Sequence, residues 1–284
     1  MSTLQEFHYR LPGRASGWRP GSHRSHSLGG GQEFVTHARL FDHADPRRLD
    51  LRASLRSIDG EWLVRAMRQR AALAVHAIVD VSASMGFGAP RTKLDYAADF
   101  VEALGTSAFR IGDAAGMFAF DGTEREDLFF PAVRSRGIGV EMAAALRRGA
   151  GGAGSIDALL RVCGHLAGRG GLVFLLSDFH WPLARLGDVL DTLAPAYVVP
   201  ILTWDAAEMQ PPAADGIAPL RDAETGMQRT VWMRPALRAR WRDAIAQRRA
   251  ELDRIFTSRG LRPFLGSGRF DPDALSQYFL EVSA

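Results

Sequence analysis

Residues 78–85 read I-V-D-V-S-A-S-M, and they close an apolar run over 71–79 with Asp80, Ser82 and Ser84. An apolar strand there leaves these three side chains in the loop just past its carboxyl end. Open α/β sheets place their ligand sites at that edge. One carboxylate and two hydroxyls are hard oxygen donors, suited to Mg²⁺ or Ca²⁺ rather than zinc, which prefers Cys and His. Alternate residues of an extended segment share a side, so positions 80, 82 and 84 can converge on one point. Asp and Ser also favour turns, so the triplet by itself does not decide the matter.

Almost a hundred residues later, 171–179 read G-L-V-F-L-L-S-D-F. The run over 172–176 is β-rich and does not alternate, the pattern of a strand covered on both faces. It too ends in a hydroxyl and a carboxylate, Ser177 and Asp178. Two buried parallel strands with acidic ends point to one shared crevice. Between them lies G-G-A-G-S-I-D over 151–157, a glycine-rich turn before a helix expected over 156–168. Ser155 is either the N-cap of that helix or a further oxygen ligand.

Working outward, strands are expected over 73–79, 115–120, 172–176 and 196–203, with an antiparallel edge strand over 127–131. Helices are expected over 93–109, 140–148, 156–167 and 183–193. Thr92 with Asp95 resembles a capping box at the first of them. Pro200 is compatible with its strand at a sheet edge or strand end. This alternation predicts a mostly parallel sheet between two helical layers. Turn signals over 203–231 predict a surface hairpin inserted at about 204–232. A helix over 234–258 carries the apolar stripe Leu237, Trp241, Ile245, Leu252 and Phe256, which reads as core-facing. A last strand over 261–265 and a closing helix over 271–279 complete the core, taken as 71–284.

Residues 1–70 are expected to be an arm with short elements packed on that core. Residues 12–31 read as loop, and 61–70 as a short helix. Arg14, Arg19, His23, Arg24 and His26 make the arm basic. Arg19 and Arg24, with His180 next to the second acidic pair, are the candidate partner contacts. Trp18 implies docking, since a large aromatic gains little in free solvent.

The chain has 284 residues, 46% of them hydrophobic and 24% charged, which is ordinary for a folded globular protein. Its formal net charge of +3 is mild, its arginines are interspersed with acids, and aromatic–basic nucleic-acid modules are lacking. Nucleic acid is therefore not an expected partner. Cys163, the single cysteine, reads as a buried small side chain. No stretch reaches eighteen apolar residues, and the first twenty residues hold no apolar signal core. The expected location is the cytoplasm, with any membrane contact made through a partner.

Asp80-x-Ser82-x-Ser84, then Ser155, then Asp178 resembles the metal-ion-dependent adhesion site of von Willebrand factor type A domains. The resemblance implies a six-stranded, three-layer α/β fold with one short antiparallel edge strand. It also implies Mg²⁺, Mn²⁺ or Ca²⁺ held by those five residues, with a partner's acidic residue completing the shell. Ser155 stands where the family usually has Thr. A wider likeness covers most of the chain. The segment 22–31, Glu33-Phe34, Asp45-Pro46-Arg47, Leu49-Asp50, Gly112-Asp113, Ser177-Asp178-Phe179 and the turn over 222–226 are similar to the bacterial family catalogued as domain of unknown function 58. Here His43-Ala44 replaces the Gly-Asp usual before Asp-Pro-Arg, and Leu51 follows Asp50 where Trp is common. The family is commonly encoded beside MoxR-type AAA+ ATPases, and one branch accompanies the genes of periplasmic methanol dehydrogenase. The resemblance implies a non-enzymatic, metal-dependent adaptor in the maturation or metal loading of such a client.

A metal-dependent hydrolase is the rival reading. It lacks a convincing general base in His76, inside a strand, or His165, on a helix near Cys163; His180 is the histidine beside a proposed ligand. The chain has no phosphate-binding Gly-x-x-x-x-Gly-Lys-Ser/Thr loop, and its sole lysine, Lys93, lies in P-R-T-K-L. It is not expected to hydrolyse ATP.

Overall fold

The structure is a computed structural model. It describes residues 5–11, 20–29, 33–42, 45–149, 151–212, 214–223 and 226–283. The strands are β1 (Pro20–Gly29), β2 (Glu33–Arg39), β3 (Leu63–Ala71), β4 (Ala74–Asp80), β5 (Ala114–Phe120), β6 (Phe130–Val133), β7 (Leu172–Ser177), β8 (Tyr197–Thr203), β9 (Gly216–Arg221), β10 (Gln228–Met233) and β11 (Phe264–Gly266). The helices are α1 (Leu51–Ser54), α2 (Lys93–Ile111), α3 (Ile138–Leu146), α4 (Ile156–Gly164), α5 (Leu186–Thr192), α6 (Ala206–Met209), α7 (Pro235–Thr257) and α8 (Pro272–Ser283).

Six strands form the central sheet in the order β11-β8-β7-β4-β5-β6. All neighbours are parallel except β5 and β6. Its strands alternate between two buried clusters. Val75, Ala77 and Val79 of β4 face the side covered by α2, α3 and α8, while Ile78 faces the side of α4, α5 and α7. This is the mostly parallel sheet between two helical layers that the strand pattern predicts, with the six strands and one antiparallel edge strand that the von Willebrand factor A resemblance implies. The helix layers pack closely: a Cβ on Gly105 of α2 would lie 2.4 Å from the Gly139 Cα of α3, so this crossing requires glycine. Thr92 and Asp95 form both bonds of the capping box at α2.

Several expectations need correction. Residues 61–70 are not helical; they lie mainly in β3, which pairs antiparallel with both β1 and β2. Val64 and Ala66 are buried while Arg65 is exposed, so the period is two rather than 3.6. The described part of the expected 12–31 loop is likewise the strand β1. The edge strand begins at Phe130, after a 3₁₀ turn over Glu126–Leu128. The last strand starts at Phe264, just past Pro263, which has no N–H to donate. Pro200 lies within an interior strand, but β11 pairs with β8 only from Ile201 onward, so that side is open at the proline.

Residues 5–11 contribute directly to the core. Phe7 and Tyr9 are buried in a ring cluster with Phe100, Phe174, Phe270 and Phe279. The fully buried Asp113 holds this segment to the sheet. Its Oδ1 accepts Leu73 N–H at 2.8 Å and its Oδ2 accepts the Tyr9 hydroxyl at 2.7 Å. Asp113→Ala should remove the acceptor of both hydrogen bonds and cost about 2–4 kcal/mol. Urea unfolding checks this; a loss under about 0.5 kcal/mol would show that the anchor is dispensable.

Candidate functional site

The chain leaves β4 toward β5 on one side and returns to β7 on the other, so the order reverses at β4. The carboxyl ends of β4 and β7 therefore flank the crevice where such sheets bind ligands. Register places Val79 beside Leu176, and strand alternation then turns Asp80 and Ser177 to one face and Asp178 to the other.

Asp80 is completely buried. Its Oδ1 accepts Ser82 N–H at 2.9 Å; its Oδ2 accepts the Ser177 hydroxyl at 2.6 Å and the Trp181 indole N–H at 3.0 Å. Burial, and then the nearby charge of Asp178, push Asp80 up to about 6 against the pull of the Ser177 and Ser82 hydrogen bonds. Ser82 precedes a 3₁₀ turn over Ala83–Gly86, which brings the Ser82 and Ser84 hydroxyls to 3.2 Å from each other.

The 151–155 turn is stitched to this loop. Gly151 N–H donates to Val81 O at 2.6 Å, and Ala83 N–H donates to Gly152 O at 2.8 Å. A Cβ on Gly154 would lie 2.8 Å from Trp181 Cδ1, so the close approach requires glycine. Ser155 caps α4, its hydroxyl accepting Ala158 N–H at 3.4 Å. Asp121, at the end of β5, clamps the turn by accepting Gly152 N–H at 3.2 Å and Ser155 N–H, through its carbonyl, at 3.0 Å. Burial opposes its charge, yet the Thr123 and Gly152 N–H groups and Arg125 hold its carboxyl below the usual value.

Asp178 points toward α2. Its Oδ1 accepts His180 N–H at 3.1 Å, and its Oδ2 lies 2.6 Å from Lys93 Nζ. Lys93 is only 4% exposed, and its ammonium also lies 2.6 Å from Glu208 Oε1. His180 Nε2 is 4.0 Å from Asp178 and 3.6 Å from Glu208, its ring stacked near Trp204. Burial works against the Glu208 charge, but His180, Lys93 and the Asp205 N–H together hold its carboxyl low.

The loop between Ser177 and Trp181 is tightly specified. Ser177 Oγ donates to Asp80 and accepts Phe179 N–H at 2.8 Å. Buried Phe179 adopts φ 54°, a left-handed conformation that is costly for a side-chain-bearing residue. Arg248 of α7 secures it by donating to the carbonyls of Phe179 and Trp181.

Thus Asp80 and Asp178 close adjacent strands but turn to opposite faces, the Ser82 and Ser84 hydroxyls meet each other in the loop that Asp80 anchors, and the Ser155 hydroxyl caps α4 in the turn stitched to that loop. Arg19, Arg14 and Trp18 lie outside the described residues, and only the backbone of Arg24 is described. Sequence reasoning missed Lys93, Glu208, Asp121 and Trp181. Asp121 carried a readable signal, an acidic residue closing an apolar strand; the others did not.

The family profile described as protein of unknown function DUF58 matches residues 38–251. An uncharacterized protein in the moxR 3′ region of Paracoccus denitrificans is 37% identical over 92 residues, 32% of this chain and 88% of that one. Among solved structures, the conserved hypothetical protein BatB from Bacteroides thetaiotaomicron aligns at 14% identity and TM-score 0.44, over 75% of this chain and 99% of that one. An aerotolerance-related membrane protein from Bacteroides fragilis aligns at 12% identity and TM-score 0.40, over 75% and 98%.

The histidines weighed as bases occupy different settings. His165 stacks on Phe118 and lies 2.8 Å from Glu124. His76 is largely buried in β4; burial and then the charge of Arg169 push it down to about 4. Its folded pKa is thus below its ordinary value of 6.5, so the unfolded chain takes up the proton first. His76 should therefore cost stability progressively as pH falls from 6.5 to about 4, by about 3 kcal/mol. His76→Gln should flatten that part of the stability–pH curve; denaturant titrations giving parallel curves would contradict the assignment.

Proposed function

This chain belongs to the DUF58 family, and from that premise we propose that it is a non-enzymatic recognition subunit working with a MoxR-type AAA+ ATPase. The observation that carries the reading is the crevice at the sheet's switch point, where Asp80, Ser82, Ser84 and Asp178 gather on loops fixed by buried hydrogen bonds. The relative described from a moxR 3′ region supports the choice of ATPase. Among the described residues no helix is long and apolar enough to cross a membrane. The client is an enzyme undergoing maturation or metal loading, and methanol dehydrogenase is the instance that the family resemblance offers.

The donor chemistry fits a hard divalent cation such as Mg²⁺, Mn²⁺ or Ca²⁺. Asp80, Ser82, Ser84, Ser155 and Asp178 would hold it. Once bound, the ion would supply an open position for an acidic side chain of the ATPase or client. The chain's own residues do the remaining work. Ser177 and Trp181 orient Asp80, Asp121 holds the 151–155 turn against it, and Arg248 locks the Phe179 loop. A hydrolase is favoured only by His180 lying near Asp178 and Glu208, and its mark would be phosphate-ester turnover abolished by Asp178→Ala.

Wild-type protein should recover the neighbouring ATPase and its client in Mg²⁺. Asp80→Ala, Asp178→Ala or a chelator should lower that recovery roughly tenfold or more. Equal recovery in every condition would remove the ion from the contact, and no recovery by wild type would remove the adaptor role.

A further inference from the structure

Lys93 is the single lysine in a chain with 35 Lys and Arg residues. It is also the first residue of α2, where the helix dipole disfavours a cation. Its burial there is sustained by two carboxylates, Asp178 and Glu208, each 2.6 Å from the ammonium. The Phe87 ring, its centroid 5.9 Å away, covers another side. An ammonium is a compact point charge on a flexible four-carbon stem, whereas a guanidinium is a planar fork. A compact charge suits a berth between two carboxylates; a fork needs a wider one. Among the described residues, Lys93 thus places a protein-borne cation directly on one of the proposed metal ligands.

We propose that Lys93 is a built-in competitor for the divalent cation of this site. Its ammonium and a divalent ion take turns on Asp178, and Glu208 is the second anchor onto which Lys93 withdraws. This rests on the metal reading of the crevice given above. With its stem fixed at the start of α2, Lys93 can pivot between the two carboxylates without unfolding the helix. In the resting state it keeps Asp178 neutralised beside the already buried Asp80, so the crevice stays folded without metal. The apparent affinity for the ion then reports the difference between two cations, and Glu208 tunes that difference.

Titration calorimetry with Mn²⁺ alone, on the full chain, tests the idea. Lys93→Met should bind Mn²⁺ at least about tenfold tighter than wild type, because the competitor is gone. Glu208→Gln, which keeps an acceptor for the α6 cap, should bind several-fold more weakly, because Lys93 is left with Asp178 as its anchor. In a Lys93→Met background the Glu208→Gln effect should vanish, which separates an anchor for lysine from a direct ligand. Without metal, Lys93→Met should melt at a lower temperature than wild type and recover as Mn²⁺ is added. Equal Mn²⁺ affinity in wild type and Lys93→Met overturns the competition and leaves the metal reading intact. No Mn²⁺ binding by either protein overturns both. If Lys93→Met fails to fold, the Glu208→Gln arm decides: unchanged or tighter binding overturns the proposal.

Discussion

Burying two carboxylates at the ends of adjacent strands is the constraint from which the surrounding structure follows. Asp80 and Asp178 are both fully removed from solvent. A buried charge without partners is costly, and two of like sign raise the cost. The fold answers differently on each side of the sheet. Toward α4 and α7, Asp80 receives neutral donors from Ser82, Ser177 and Trp181. Toward α2, Asp178 receives a full positive charge from Lys93. The two solutions differ because strand alternation directs neighbouring side chains to opposite layers. Ser177 belongs to both, since its hydroxyl donates to Asp80 and accepts the amide of Phe179, where the chain turns into its left-handed kink.

The parts of this arrangement that are local in sequence could be read there. Non-alternating apolar runs marked β4 and β7, and the hydroxyls and acids that close them marked the crevice. The Thr92–Asp95 box and the Ser155 cap were legible because both partners lie within three residues. The long-range pairs were not. Lys93 and Glu208 are separated by 115 positions, and nothing near either announces the other. In isolation a lysine at a helix start reads as a solvated charge. Glu208 fell in a stretch dominated by turn signals, which hid the short helix α6.

The N-terminal region failed for another reason. Phe7 and Tyr9 alternate with His8, a pattern of extended chain, but the segment is too short to compete with the irregular composition that follows. The residues over 61–70 mix Arg, Gln and Met, all good helix formers, and propensity pointed to a helix. Pairing with strands on both sides overrode it, and the buried Val64 and Ala66 set the period. The Gly112-Asp113 pair of the family signature is accounted for structurally. Gly112 ends α2 in a left-handed conformation, and Asp113 then turns back to hold Leu73 and Tyr9.

Helix α7 gives the crevice a mechanical connection to the rest of the molecule. It begins one residue after the β9–β10 hairpin and touches the site at two heights. Trp241 donates its indole N–H to the carbonyl of Glu208 at 2.8 Å, and seven residues later Arg248 holds the carbonyls of Phe179 and Trp181. One rigid rod thus bears on both the Glu208 wall and the Asp80 wall. The spacing between the Glu208 carbonyl and the Phe179 loop is therefore set by the stretch of a single helix between Trp241 and Arg248.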